Sequence, residues 1–158
     1  LVAGVRAKSG KKADEVKRLS TSWLVVDDDP HIRELIRFYL SKEGFRVTEA
    51  CDGEEALRLL ADTEVDGVII DVMMPKLDGF ELCKKIRETW DIPVLMVTAK
   101  GEPVHRIRGF QTGTDDYLVK PFEPMELVMR AKALLKRYRI NASQIIRVGE
   151  LLIDRHHV

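Results

Sequence analysis

Cysteine is scarce: Cys51 and Cys83 are the only two in 158 residues, far apart and without CxxC spacing. That excludes a thiolate metal knuckle and a disulfide framework, and leaves two reduced thiols as the simplest reading. An excess of one charge sign is also missing. Lys and Arg number 26 against 26 Asp and Glu, for a formal net charge of zero, so nothing in the bulk electrostatics favours nucleic acid. No apolar run approaches a membrane span, and nothing has the make-up of a signal peptide. The expectation is a soluble, cytoplasmic chain with no membrane partner, long enough for one domain with a sizeable core and extra pieces at its ends.

The pieces at the ends differ from the middle. Leu1 to Gly10 has no clear period, and Lys11 to Ser20 is charge-rich with only Ala13, Val16 and Leu19 as an apolar stripe. Residues 1–21 therefore read as an N-terminal extension, most simply a segment appended to the native chain. From Trp23, short Val/Ile/Leu runs alternate with stretches of helical period. Asp29-Pro30 is a helix start, with Asp as N-cap and Pro at the first helical position. Ile32, Leu35, Ile36, Tyr39 and Leu40 mark one face, and Gly44 is placed to end the helix. Arg46 to Ala50 reads as a strand and Glu54 to Ala61 as a helix with Ala56, Leu57 and Leu60 inward. Asp66 to Ile70 is a strand, followed after Pro75 and Gly79 by a helix through Phe80, Leu82, Cys83 and Ile86. Ile92 to Val97 reads as a strand buried on both faces. Pro103 to Phe110 is a weaker helix with Val104, Ile107 and Phe110 at helical spacing, and Asp116 to Val119 is the last strand. Glu123-Pro124 opens a helix carrying Met125, Leu127, Val128, Ala131, Leu134 and Leu135 on one stripe. Five βα units in a row require crossovers, hence a parallel sheet between two helical layers.

Four of the strands close on polar residues: Asp27-Asp28, Asp71, Thr98 and Lys120. In an open parallel sheet the carboxyl ends of the strands converge on one ligand site. Taken singly, an Asp-Asp pair after a strand is most simply a helix cap, and a lone Asp, Thr or Lys is ordinary surface. The ordered set points to one pocket. Crowded carboxylates repel each other and are relieved by a hard divalent cation, best Mg²⁺, which keeps several waters and needs only one or two protein carboxylates. Lys120 adds a point charge able to pair with a carboxylate or a phosphoryl group, Lys120-Pro121 is a candidate cis peptide, and Thr98 offers a hydroxyl to a phosphoryl oxygen. Nucleophile, charge neutralisation and position are what in-line phosphoryl transfer requires.

The runs Val25-Val-Asp-Asp-Asp-Pro30, Ile69-Ile-Asp-Val-Met-Met-Pro-Lys-Leu-Asp-Gly79, Val97-Thr-Ala99 and Asp115-Asp-Tyr-Leu-Val-Lys-Pro-Phe122 resemble the motifs of the response-regulator receiver domain of two-component signalling. The resemblance covers residues 22–138 and implies a flavodoxin-like, doubly wound α/β fold with a five-stranded parallel sheet in the order 2-1-3-4-5 and helices on both faces. It implies that Asp71 accepts a phosphoryl group from a sensor histidine kinase. Asp28, Asp71 and the Met73 carbonyl would hold Mg²⁺ directly and Asp27 through water, while Thr98 and Lys120 would hold the phosphoryl oxygens. Tyr117 matches the aromatic that turns inward as the Thr hydroxyl moves, and read alone it is a half-buried edge residue. The domain would be a phosphorylated signalling element rather than an enzyme.

Arg106, Asp115, Asp116, Glu126, Arg130 and Arg137 resemble the charges with which the winged-helix OmpR/PhoB subfamily forms homodimers through its fourth helix, fifth strand and fifth helix. Read alone, they are solvated helix faces. Thr114 stands where that subfamily usually has Ala. Residues 139–158 then read as a linker and the start of a truncated winged-helix DNA-binding domain, with DNA reached only through its missing body. His31 and His105 fall on exposed positions without a role, and Met73 and Met74 are packing and loop side chains. Two other readings remain: a haloacid-dehalogenase-like phosphatase, for which Asp27 and Asp29 imitate the DxD spacing against the sense of Pro30 and Asp71, and an atypical receiver that works without phosphorylation.

Overall fold

The computed structural model describes residues 20–139, so the expectations for most of the N-terminal extension and for the linker and winged-helix start from residue 140 lie outside the described residues. Strands and helices alternate along the chain: β1 (Ser22–Val26), α1 (Pro30–Lys42), β2 (Arg46–Ala50), α2 (Gly53–Asp62), β3 (Gly67–Ile70), α3 (Gly79–Thr89), β4 (Val94–Thr98), α4 (Pro103–Thr112), β5 (Asp116–Val119) and α5 (residues 124–139). Short carboxylate side chains start three of the helices. Asp29 accepts the His31 N–H ahead of Pro30, Asp52 accepts the Glu55 N–H and Asp78 accepts the Glu81 N–H, each at 2.8–2.9 Å. Such bonds satisfy donors that the first helical turn leaves free. The first helix stops where expected, with Gly44 at φ +86° and its N–H on the Ser41 carbonyl.

All five strands are parallel, in the order β2-β1-β3-β4-β5. β1, β3 and β4 are buried along their whole length, which is why they read as unbroken apolar runs instead of alternating ones. Their side chains still divide by parity. Leu24, Val26, Val68, Ile70, Val94 and Met96 face Ala56, Leu60, Phe80, Leu82, Cys83 and Ile86 of α2 and α3. Trp23, Val25, Ile69, Leu95 and Val97 face Ile36 and Leu40 of α1 and Leu127, Val128, Ala131, Leu134 and Leu135 of α5. Each large apolar side chain removed from water contributes about 1.5–3 kcal/mol, so the two layers hold the sheet from both faces.

Three expectations about helix faces need correction. Leu35 and Met125 lie at the rims of their stripes and are 37% and 46% exposed, outside the cluster that α1 and α5 form against the sheet. α4 runs on to Thr112, and its stripe of Val104, Ile107 and Phe110 faces solvent. Only Gly109 of that helix is buried, against Tyr117 and Met96.

Candidate functional site at the strand ends

Register brings the carboxylates together. The Asp27 N–H donates to the Ala50 carbonyl at 3.2 Å and the Asp71 N–H to the Val26 carbonyl at 2.9 Å, so β1 and β3 keep pairing up to the residues that carry the site. Asp27 and Asp71 are buried and Asp28 is exposed, and one oxygen from each of the three lies within 4.8 Å of the others. From the far side of β4, the Lys120 N–H donates to the Thr98 carbonyl at 2.8 Å. Its Nζ then reaches Asp27 Oδ2 at 2.8 Å and Asp71 Oδ2 at 3.3 Å. The Lys120-Pro121 peptide is cis, as its position suggested.

The charges do not balance. Three carboxylates meet one ammonium, leaving two negative charges in a largely buried pocket. Burial pushes the Asp27 carboxyl above the ordinary Asp range, the charge of Asp71 adds to this, and the Lys120 and Asp29 bonds only partly offset it. Burial also works against the Lys120 ammonium, but the bond to Asp27 and the charges of Asp71 and Asp27 outweigh it and hold that group above the ordinary lysine range. A divalent, oxygen-seeking cation is the complement such a donor set calls for.

Neighbouring groups hold the carboxylates in place. Asp27 Oδ1 accepts the Asp29 N–H at 2.9 Å and Asp71 Oδ1 the Met73 N–H at 3.2 Å. Arg33, which sequence reasoning passed over, donates to the Asp27 carbonyl at 2.7 Å and to Glu49 of β2 at 3.1 Å. Its only sequence signal was its place on the first turn after the acidic run. Gly79 is tighter still, since a Cβ there would lie 2.4 Å from the Asp71 carbonyl oxygen and 2.7 Å from Val72 Cα. Thr98 is fully buried, and its hydroxyl accepts the Lys100 N–H at 3.3 Å. The Lys100 carbonyl in turn accepts the hydroxyl of Tyr117, whose ring is buried rather than half-buried. A chain of bonds thus runs from the strand end of β4 to the ring on β5.

Comparison with known proteins decides the family: the response regulator receiver domain model matches residues 23–132. The chain belongs to the response regulator receiver family. It is similar to the transcriptional regulatory protein ResD of Bacillus subtilis, at 50% identity over 117 residues, which is 74% of this chain and 49% of that protein. It is also similar to the heme response regulator HssR of Staphylococcus saprophyticus, at 44% identity over 138 residues, 87% of this chain and 62% of that protein. The chain therefore spans about half the length of the curated relatives it matches. Among solved structures, the receiver domain of the Francisella response regulator 1452 matches with a TM-score of 0.72 and 39% identity over 75% of this chain and 99% of that one. The phosphatase alternative finds no support in this signalling family.

Outside the pocket, the receiver disposes its other charged residues unevenly. Arg130 bonds both oxygens of Asp116 at 2.9 and 3.1 Å and Glu126 at 3.0 Å, and Arg106 reaches the Gly101 carbonyl at 3.3 Å. Arg137 is exposed. Asp115 turns away from that group. Its carboxylate takes the Arg87 guanidinium at 2.5 Å, the Val94 N–H at 2.8 Å and the Tyr138 hydroxyl at 2.9 Å. Arg87 and Tyr138 carried no periodic signal and were missed. Thr114 keeps its hydroxyl satisfied against the carbonyls of Val94 and Asp116, at 3.0 and 2.9 Å, so the substitution for Ala is accommodated. His105 is half-buried with Nε2 3.5 Å from Glu102, while His31 is exposed.

Proposed function

We propose that this receiver is a phosphoacceptor switch in which Asp71 takes the phosphoryl group of a sensor histidine kinase. The observation that carries the reading is the single ammonium of Lys120 facing two of three clustered carboxylates. An Asp71 carboxylate oxygen attacks phosphorus, the P–N bond of the phosphohistidine breaks, and its electron pair leaves with the imidazole nitrogen. An acyl phosphate forms. Asp28 and Asp71, with the Met73 carbonyl, would hold Mg²⁺ and Asp27 would act through water, the cation supplying charge neutralisation for the transferred group. Lys120 keeps its contact and pairs with a phosphoryl oxygen instead of Asp71. The Thr98 hydroxyl, which now only accepts from Lys100, has its proton free to donate to the same group.

The output face is α4, β5 and α5. Arg106, Asp116, Glu126, Arg130 and Arg137 supply its exchangeable charges in a homodimer, whereas Asp115 takes part only if it leaves Arg87 and Tyr138. In the full-length protein that dimer would set two winged-helix domains on DNA half-sites and control transcription, from a cytoplasmic location. The phosphorylation step is carried out by the domain on itself.

The test is incubation with phosphoramidate and Mg²⁺, read by intact mass. One phosphoryl group should be gained, and chelation of Mg²⁺ or Asp71→Asn should abolish the gain. Labelling that persists in Asp71→Asn overturns the assignment, and multiple turnover on a phosphate monoester would restore the phosphatase reading. Beryllofluoride with Mg²⁺ should drive dimerisation in sedimentation velocity. Absence of that response would favour a receiver that works without phosphorylation.

A further inference from the structure

Asp28 is the exposed member of the acidic cluster, and among the described residues no donor bonds its carboxylate. Its neighbours are held: Asp27 by the Asp29 N–H and Lys120, Asp71 by the Met73 N–H and Lys120. An unbonded surface carboxylate facing two like charges is driven outward into water, yet one Asp28 oxygen stays within 4.8 Å of oxygens of both neighbours. The restraint lies in the backbone that carries it. The Asp27 carbonyl and the Asp28 N–H share one rigid peptide plane, and Arg33 pins that plane from α1 with a 2.7 Å bond to the carbonyl. Arg33 is fixed in turn by Glu49, whose Oε1 accepts its Nε–H at 3.1 Å while Oε2 takes Arg37 at 2.8 Å. Glu49 pairs with Val25 in the parallel register, which turns its side chain to the α1 side of the sheet. With the Arg33 and Glu49 side chains only 17% and 26% exposed, the planar guanidinium bridges β2 and the end of β1 as a preorganised fork.

We infer that Arg33, anchored by Glu49, is a positioning residue for the cation site: it fixes the Asp27–Asp28 peptide so that the Asp28 carboxylate stays turned toward Asp27 and Asp71 against their repulsion. This deepens the Mg²⁺ part of the proposed switch and rests on it. Position and charge predict opposite signs. Removing a cation close to the site would by itself tighten the binding of another cation, whereas freeing the peptide weakens it.

The experiment measures the Mg²⁺ dissociation constant of the full chain by competition with Mn²⁺, read from water proton relaxation at a temperature where circular dichroism shows each variant folded. In Arg33→Met, which leaves Glu49 paired with Arg37, the constant should rise about tenfold, the lower end of what loss of a residue that orients a metal ligand costs. Arg33→Lys keeps the charge but has no fork to bridge the carbonyl and Glu49, so its constant should rise in the same direction and less, and it carries the test if Arg33→Met does not fold. A constant at or below the parent value in either variant overturns the proposal. Lys132→Met cuts the bond from α5 to Glu43 at the far end of α1 and should leave the constant unchanged. A rise there equal to that in Arg33→Met would mean general loosening of α1 and also overturns it. Absence of Mg²⁺ binding by the parent protein overturns both this inference and the metal reading. Failure of the phosphoacceptor reading alone shows in the parent as Mg²⁺ bound with no phosphoryl group gained from phosphoramidate, and the comparison of variants then still stands.

Discussion

The contact between Arg87 and Asp115 admits a quantitative test. Arg87 projects from the last turn of α3 and spends three donors there, on Asp115 at 2.5 Å, on the Gly113 carbonyl at 2.7 Å and on the Ile92 carbonyl. Both side chains are only about one-fifth exposed, at 22% and 23%. Arg87→Met keeps the stem and removes all three bonds, leaving Asp115 charged beside Val94 N–H and Tyr138 alone. Breaking one partner of a buried pair costs about 3–5 kcal/mol, and the remaining exposure lowers that to about 2–4 kcal/mol. At roughly 4 °C per kcal/mol for a domain of this size, Tm should fall by about 8–16 °C. Asp115→Asn retains an acceptor for Val94 and should cost less, about 1–2 kcal/mol. The two together should cost less than their sum by at least about 1 kcal/mol in a double-mutant cycle, measured by urea unfolding of the full chain. A loss under about 1 kcal/mol for Arg87→Met, or coupling indistinguishable from zero, would mean that this is a screened surface pair and that Asp115 is free for a partner subunit after all.

Gly79→Ala should be among the most damaging small substitutions, since the new Cβ would sit 2.4 Å from the Asp71 carbonyl oxygen; overpacking of this kind costs about 1–3 kcal/mol, and the rate of Mg²⁺-dependent phosphorylation should fall with it, so wild-type melting and labelling would refute the contact. Burial, reinforced by the bond to Asp115 and its charge, pushes the Tyr138 phenol up to about 12. Its folded-state value thus lies above the unfolded value of about 10, so its stabilising effect is complete below pH 10 and is lost as pH rises through about 12. Burial also raises the Tyr117 phenol, so tyrosinate absorbance should show two delayed rings, of which the one near pH 12 disappears in Tyr138→Phe together with the steepest part of the alkaline loss of stability; loss of a transition near pH 10 in Tyr138→Phe would contradict this.

The strand-end site was legible because a parallel sheet sends every strand's carboxyl end to one edge, so Asp27, Asp28, Asp71, Thr98 and Lys120 needed only to close their strands to be placed together. The caps at Asp29, Asp52 and Asp78 follow from local chemistry, although only the first was named from sequence. What stayed hidden depends on direction rather than position. Asp115 and Asp116 are neighbours at the start of β5, and adjacent residues entering a strand face opposite ways, so one turns to Arg87 and the other to Arg130. Assigning both to one face overlooked that alternation. The helical spacing of Val104, Ile107 and Phe110 gave the α4 helix but not its inward side, because the helix approaches the sheet through Gly109, which has no side chain to count.

The covering of the sheet on both faces has a consequence for observation. The sheet divides the interior into two compartments that share only strand backbone, and the chain's two tryptophans fall one to each. Trp23 is sealed beneath α1 and α5, edge-on to Phe45 with centroids 6.5 Å apart, whereas Trp90 packs half-buried on the α2–α3 side with Tyr117 in the same cluster. The protein thus carries one intrinsic lamp per compartment. Each tryptophan can be silenced by Phe, and the remaining emission then reports its own layer, so a single shared unfolding midpoint would mark one cooperative unit and two midpoints would mark layers that come apart separately. A signal that alters Trp90 and leaves Trp23 constant would locate a motion on the side of the sheet where Tyr117 sits.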